Sequence, residues 1–524
     1  MDVEALQLNT PKRVSFYLSA KLVSWLSFGF FSLVALLMIL SQDIHADDAY
    51  MFYRYAYNLH TSGLFTWNPA DGNTFGITSL FHFFFVDIVY LFIKNPDLVL
   101  KIATYIPIEL LLLYIYRIYC VKKQFGIKEY MLVNFIIGYM FLCRTFQIHA
   151  TSGMDTMLAF MLYIFFVLIF YQSIDSRKYK SAFAVSFCAI LMVLTRPDSL
   201  FFLAGFFTSF LLVTFRNSIN RLFILRVLLF CSLLGLIVLG LLILIFKDPL
   251  PLPFYVKWVN EYEKLSPGVR GYKIVQITHF ILYAAPLLPF LFFIKKLNFK
   301  IIIPVLIGSA LLSGYFYTVT WIMGYEFRFL FPLYGVIVAT LILHVDKESI
   351  KFTRIFLSYM VILILNQCLT LVFRKRIEPL ATGRPYLLEI SKELATADDN
   401  ISIAGTEHGI TSALNLKKYI YDLSGLHNPD LKKGFNVNFM HGHKPDLIIM
   451  PSIGYLGMVE RIRNDSVFKN EYYFISENDT LVKSVCRRMW LDGMAIKKSS
   501  PYFIPLEAIV QHSAVMVKDV QVIK

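Results

Sequence analysis

Charge is scarce in this chain. Only 16% of its 524 residues are Asp, Glu, Lys or Arg, where soluble domains average about 25%. That excludes a water-soluble globular protein throughout. Cysteine is sparse too: Cys120, Cys143, Cys188, Cys231, Cys368 and Cys486 are the whole set. Five fall in hydrophobic segments and one in the C-terminal part, so that part can form no internal disulfide. No metal-ligand spacing occurs among them, and His149 has no second ligand at metal spacing. No GxGxxG, Walker motif or low-complexity linker is present. No small-residue cleavage site follows the first hydrophobic segment, which reads as an uncleaved signal anchor.

What is plentiful is apolar. Such residues make up 57% of the chain, and mean hydropathy is +0.59. Runs of about 17–25 apolar residues recur up to Phe373, each long enough to span a bilayer. The remainder is far more polar. The sequence therefore divides into a polytopic α-helical membrane domain, 1–375, and a soluble domain, 376–524. The net charge of +14 gathers in short clusters between hydrophobic helices: Lys122-Lys123, Arg177-Lys178, Arg216 with Arg221, Lys295-Lys296, Lys351 with Arg354. Such clusters mark cytoplasmic loops, so the charge reads as topology and not as nucleic-acid affinity.

These clusters place the N-terminus inside and predict eleven spans or so: one ending at Leu40, then 98–120, 129–143, 153–172, 181–196, 199–215, 222–246, 273–294, 301–321, 329–345 and 355–373. Ser79 to Ile93 is apolar but carries His82 and Asp87. Reading it as a span would invert the later clusters, so a juxtamembrane or re-entrant helix on the outer side is predicted. The C-terminal domain then lies outside; only Arg374-Lys375-Arg376 disagrees. Within that domain, Ile401 to Gly405 and Asp446 to Met450 read as buried strands, Tyr386 to Ala397 and Gly409 to Leu416 as helices. A small α/β domain is expected.

The outer loop, 42–97, opens with the adjacent carboxylates Asp47 and Asp48, followed by a Tyr- and Phe-rich amphipathic stretch. Aromatics favour the membrane interface, and a loop this long is more than a connector needs. Carboxylates at a membrane surface beside a hydrophobic bundle can serve as a base on a lipid-borne substrate. Arg54, Arg196, Lys257 and Arg328 fall at the same outer level. Arg328 and Glu326 lie in an apolar context, where ionisable groups are functional by default. Asp155 reads as a helix cap or a substrate ligand, and Glu407 with His408 as a surface pair.

Several stretches, in order, resemble the bacterial GT-C glycosyltransferases, in particular the branch containing the mycobacterial terminal arabinofuranosyltransferase. They are Asp47-Asp48-Ala49-Tyr50, Arg54-Tyr55-Ala56, Asn58-Leu59, Trp67-Asn68-Pro69, Gly76-Ile77-Thr78-Ser79, Ala150-Thr151-Ser152-Gly153-Met154-Asp155-Thr156, Leu194-Thr195-Arg196-Pro197-Asp198 and Phe327-Arg328-Phe329-Leu330-Phe331-Pro332. Leu250 to Lys257 matches more loosely, without the family's Asn and Thr. After Ser79 the family's Pro and Trp are missing. The resemblance implies a GT-C-like fold and an inverting glycosyltransferase at the outer face of the bacterial inner membrane. Its donor would be a polyprenyl-phosphate-linked sugar, and its acceptor an envelope glycan or glycolipid. It implies Asp47 as base with Asp48 orienting, or the reverse. Arg328, Lys257, Arg196 and Arg54 would hold the donor phosphate. Asn58, Tyr50, Trp67, Thr78, Asp155 and Glu326 would contact the sugars. No cofactor or dedicated metal is expected. A polyprenyl-lipid transporter and a non-catalytic envelope or motor-control protein are the alternatives.

Overall fold

The computed structural model describes residues 11–44, 46–174, 178–258, 269–287, 290, 297–318, 327–345, 358–365, 384–451, 455–489 and 491–518. It is predominantly helical, with a small mixed sheet in the C-terminal part.

Five described helices are long and apolar enough to cross a membrane: Ala20–Ser41, Pro96–Lys122, Thr156–Ser173, Ser218–Phe246 and Phe299–Thr318. A sixth candidate is the pair Ile127–Leu142 and Arg144–Ala150, bent by 73°. The break falls at Cys143, whose backbone is extended. The Ser218–Phe246 helix has a hydropathy of 3.1 and none of its most apolar window is buried inside the protein. Leu225, Leu229, Leu236 and Leu244 are all exposed. An apolar face left open in this way is what lipid requires and water penalises.

The count differs from eleven for a physical reason. Ser199–Thr214 and Phe331–Leu343, with 16 and 13 residues, are apolar but shorter than a bilayer-spanning helix, and Tyr179–Thr195, with 17, stands at the lower limit. Pro197 follows one of them closely and Pro332 sits in the first turn of another, and each proline punctuates its helix. The expected span 355–373 lies largely outside the described residues. Leu80–Phe92 has 13 residues, too few to cross, as the juxtamembrane reading expects.

The C-terminal sheet has the order β2-β1-β3-β5-β4, with β1 Ile403–Gly405, β2 Ile420–Asp422, β3 Leu447–Ile449, β4 Tyr472–Tyr473 and β5 Met494–Lys497. The strand β1 pairs in parallel with β2 and β3; β5 runs antiparallel to β3 and β4. Both faces are covered. Ile403, Leu447 and Ile449 look into one core; Ala404, Ile448 and Met450 look into another with Phe468 and Tyr472. This explains the unbroken apolar runs in β1 and β3, since a strand buried on both faces does not alternate.

The first of those cores does not stop at the domain edge. It continues through Tyr386, Ile410 and Ile420 into Tyr50, Phe52, Tyr53, Tyr55, Trp67 and Ile77 of the outer loop, and on to Val86 and Tyr90. Loop and C-terminal domain thus share one core.

Candidate active site

The chain turns at Asp47 and Asp48 and enters the Ala49–Ser62 helix. The two carboxylates go separate ways. Both oxygens of Asp47 accept backbone N–H groups from across the fold: Oδ2 from Gly409 at 2.7 Å and Oδ1 from Ile410 at 2.8 Å. These donors open the Gly409–Leu414 helix, where N–H groups lack intrahelical partners. Asp47 therefore supplies the cap from another part of the chain. Burial, with the neighbouring Asp48 charge, holds its carboxyl above the usual carboxylate range, although the two N–H groups pull the other way. Only a glycine fits at 409. A Cβ there would lie 2.0 Å from the Asp47 carbonyl oxygen.

Asp48 is about half exposed, at 47%, and faces Arg328, with Nη1 3.6 Å from its Oδ2. The same guanidinium places Nη2 3.7 Å from Oδ1 of Asp155. Asp155 occupies the N-cap position of the Thr156–Ser173 helix, yet its side chain does not cap it. It turns instead towards Ser79, whose hydroxyl donates to Asp155 or to the Thr195 carbonyl, the latter at 2.7 Å. Burial works against ionisation of Asp155, but the charges of Arg328 and Arg196 outweigh it and hold the carboxyl below its usual range.

Arg196 is buried, pairs with Asp198 at 3.0 Å and lies over the Phe329 ring at 4.6 Å. Arg328 lies over the same ring at 5.3 Å. One aromatic ring thus carries both guanidinium groups. Beside them, the wholly buried His82 donates from Nε2 to the Gly153 carbonyl at 3.1 Å, leaving its buried Nδ1 without a hydrogen-bond partner.

Asp48, Arg328, Asp155 and Arg196 thus come together, with Ser79 and His82 as members that sequence reading missed. Ser79 stands at the end of Gly76-Ile77-Thr78-Ser79; His82 follows three residues later, buried in the first turn of the Leu80–Phe92 helix. An ionisable ring in an apolar helix was the available signal. Thr78 is half-buried immediately before Ser79.

Other expected site residues have structural duties. Arg54 is buried and donates to four backbone carbonyls: Trp67 at 2.7 Å, Ser412 and Asn415 at 3.1 Å, and Lys418 at 2.9 Å; Asn68 Oδ1 accepts at 3.0 Å. Burial pulls its pKa down to about 9, so it remains a cation at neutral pH. It pins the loop to the C-terminal domain through these carbonyls. Asn58 donates to the Thr66 and Trp67 carbonyls at 3.0 and 2.8 Å. Trp67 donates its indole N–H to the Ile420 carbonyl at 2.9 Å. The Tyr50 hydroxyl donates to Asp97. These three, expected to bind sugar, instead fold the loop against its neighbours. His408, expected at the surface, is buried. Lys257 belongs to the Leu252–Trp258 helix, but its side chain lies outside the described residues, as does all of Glu326.

Residues of metal-ligand type cluster once among the described residues, at His408, Asp422 and His427. No protein-family model matches the chain, and no curated protein matches it.

Proposed function

We propose that the chain is an inverting glycosyltransferase that moves a sugar from a polyprenyl-phosphate carrier to a hydroxyl of an envelope glycan or glycolipid, at the outer face of the bacterial inner membrane. The observation that carries this reading is Arg328, held between Asp48 and Asp155 and sharing the Phe329 ring with Arg196. The reaction needs a carboxylate to take a hydroxyl proton and a cation beside the phosphate that leaves. A carboxylate and a guanidinium meet here, in a chain whose apolar helices suit a lipid-borne donor.

In this reading the acceptor oxygen attacks the anomeric carbon. Asp48 takes its proton, and the carbon–oxygen bond to the lipid phosphate breaks with the electron pair on that phosphate. Asp48 suits the base better than Asp47, because both Asp47 oxygens are occupied by N–H donors while Asp48 is half open. Arg328 exchanges its long carboxylate contacts for the bidentate geometry that guanidinium and phosphate share. Asp155 keeps Arg328 charged and aimed.

The test is turnover by the purified full chain in nanodiscs, with short-chain polyprenyl-phosphate pentoses and hexoses as donors and envelope glycan fragments as acceptors. At least one donor should release polyprenyl phosphate. Asp48→Asn should slow that release by roughly 10²–10⁴-fold, the usual worth of a positioned base, and Arg328→Gln should slow it as well. Donor bound but never consumed, or Asp48→Asn at the wild-type rate, would overturn the assignment.

A further inference from the structure

We propose that His408, Asp422 and His427 form a binding site for a divalent transition metal ion of zinc type, which fastens the C-terminal domain beneath the outer loop. The inference is independent of the glycosyltransferase reading. One ligand atom from each of the three residues lies within 4.8 Å of the others, and all three residues are buried. His408 Nδ1 stands 3.6 Å from Asp422 Oδ1. Tetrahedral zinc, with bonds of about 2.0–2.1 Å, sets its ligands roughly 3.3 Å apart, so the His408–Asp422 pair is close to that spacing and the three ligand atoms would draw together on the ion.

The second observation is His408 itself. It is 4% exposed, yet neither ring nitrogen has a hydrogen-bond partner. A buried imidazole in that state needs a partner, and Nδ1 already points at Asp422. The surroundings are those of a metal site. Asp422 is oriented by the N–H groups of Ser424 at 2.8 Å and His427 at 2.7 Å, the kind of support that fixes ligating carboxylates. His427 has the Tyr55 hydroxyl at Nδ1, 3.1 Å away, and Met51 Sδ at Nε2, 2.7 Å away. Whichever nitrogen turns to the ion, the other keeps its neighbour. Trp67 stacks on His427 at 4.3 Å and meets His408 edge-on at 4.9 Å, closing the site with an apolar wall.

Two imidazoles and one carboxylate are borderline donors that suit zinc better than magnesium or calcium. The ligands come from the segment after β1, from the last residue of β2 and from the turn that follows it, while the wall comes from Met51, Tyr55 and Trp67 of the loop. The backbone of Gly76 also closes on this point: a Cβ there would fall 2.2 Å from the Tyr55 hydroxyl oxygen and 2.4 Å from His427 Nδ1. An ion at this place therefore fixes the domain edge against which the loop is laid.

The probes are Zn²⁺ and Co²⁺. The full chain, purified through a tag without histidine, should retain zinc in roughly equimolar amount by elemental analysis, as a closed protein site does. Co²⁺ exchange should give the visible absorption of a tetrahedral site. Chelation should lower the thermal midpoint, and Zn²⁺ should restore it. His408→Gln and His427→Gln should lose the cobalt absorption. Since the His408 side chain makes no hydrogen bond, His408→Gln also tests the site in a chain whose circular dichroism stays native. His441→Ala and His443→Ala, at the far end of another helix, should keep it. The proposal is overturned by a wild-type chain that neither retains zinc nor absorbs with cobalt, by cobalt absorption that survives both Gln variants, or by its loss in the His441 or His443 variants.

Discussion

Asp47 and Asp48 show how adjacent identical residues take different chemistry from their surroundings. Asp47 is fixed by two N–H groups 362 and 363 residues away, while Asp48 turns to a guanidinium. Gly409→Ala should break the Asp47 clamp, since the added methyl has backbone against it; overpacking of this kind costs about 1–3 kcal/mol. Gly442→Ala, which has open space and lies in the Val437–His443 helix, should be neutral or stabilising. Thermal unfolding of the two variants side by side checks this, and equal midpoints would remove the clamp from the argument. Asp155 gives a pH dependence. Its carboxyl is held below the usual range by Arg328 and Arg196 despite burial. Its ion pairs therefore contribute fully above the unfolded value of about 3.9 and are lost as pH falls through the lower folded value. The midpoint gap between wild type and Asp155→Asn should be widest at neutral pH and should shrink on acidification below about 4. A gap that grows on acidification would contradict the ion-pair account.

At the scale of elements, the outer loop is a folded part. Arg54 ties the Ala49–Ser62 helix to Trp67 in the middle of the loop, to the C-terminal end of the Gly409–Leu414 helix and to Lys418 just before β2. Arg54→Lys keeps the charge but cannot reach four carbonyls with one ammonium group. Leaving buried carbonyls and a buried cation poorly paired costs about 3–5 kcal/mol. The C-terminal domain should then become accessible to limited proteolysis at its boundary with the loop, while Lys392→Ala, in an exposed pair with Glu389, should leave the cleavage pattern unchanged. The two parallel strands β1 and β3 were legible in the sequence because each is a short apolar run buried on both faces. The duties of Arg54, Trp67 and Asn58 were not. Their partners lie in carbonyls that carry no side-chain signature, and three of the four that Arg54 holds, with the one that the Trp67 indole holds, are more than 350 residues distant. Likewise, the sequence Gly405-Thr406-Glu407-His408-Gly409 marks a strand followed by a helix start that favours an anion, but nothing local reveals that the anion is Asp47.

For the whole molecule, the shared core between loop and C-terminal domain imposes a rule on topology. Asp47 touches Gly409, so both lie on one side of the membrane, and the chain between them must cross an even number of times. The four described spans after Ala20–Ser41 satisfy this; so do ten. Counting the bent pair as one more span gives an odd number unless another short helix also crosses. The spans therefore enter in pairs, whichever of the shorter apolar helices take part. Single cysteines at Asp43, Lys123 and Lys433, all exposed, read this directly, with the native cysteines replaced. A membrane-impermeant maleimide added to right-side-out cells should label Asp43→Cys and Lys433→Cys alike. Lys123→Cys, beyond the Pro96–Lys122 span, should label only after the membrane is opened. If Asp43→Cys and Lys433→Cys labelled from opposite sides, Asp47 could not reach Gly409, and the Arg54 pin would be lost with it.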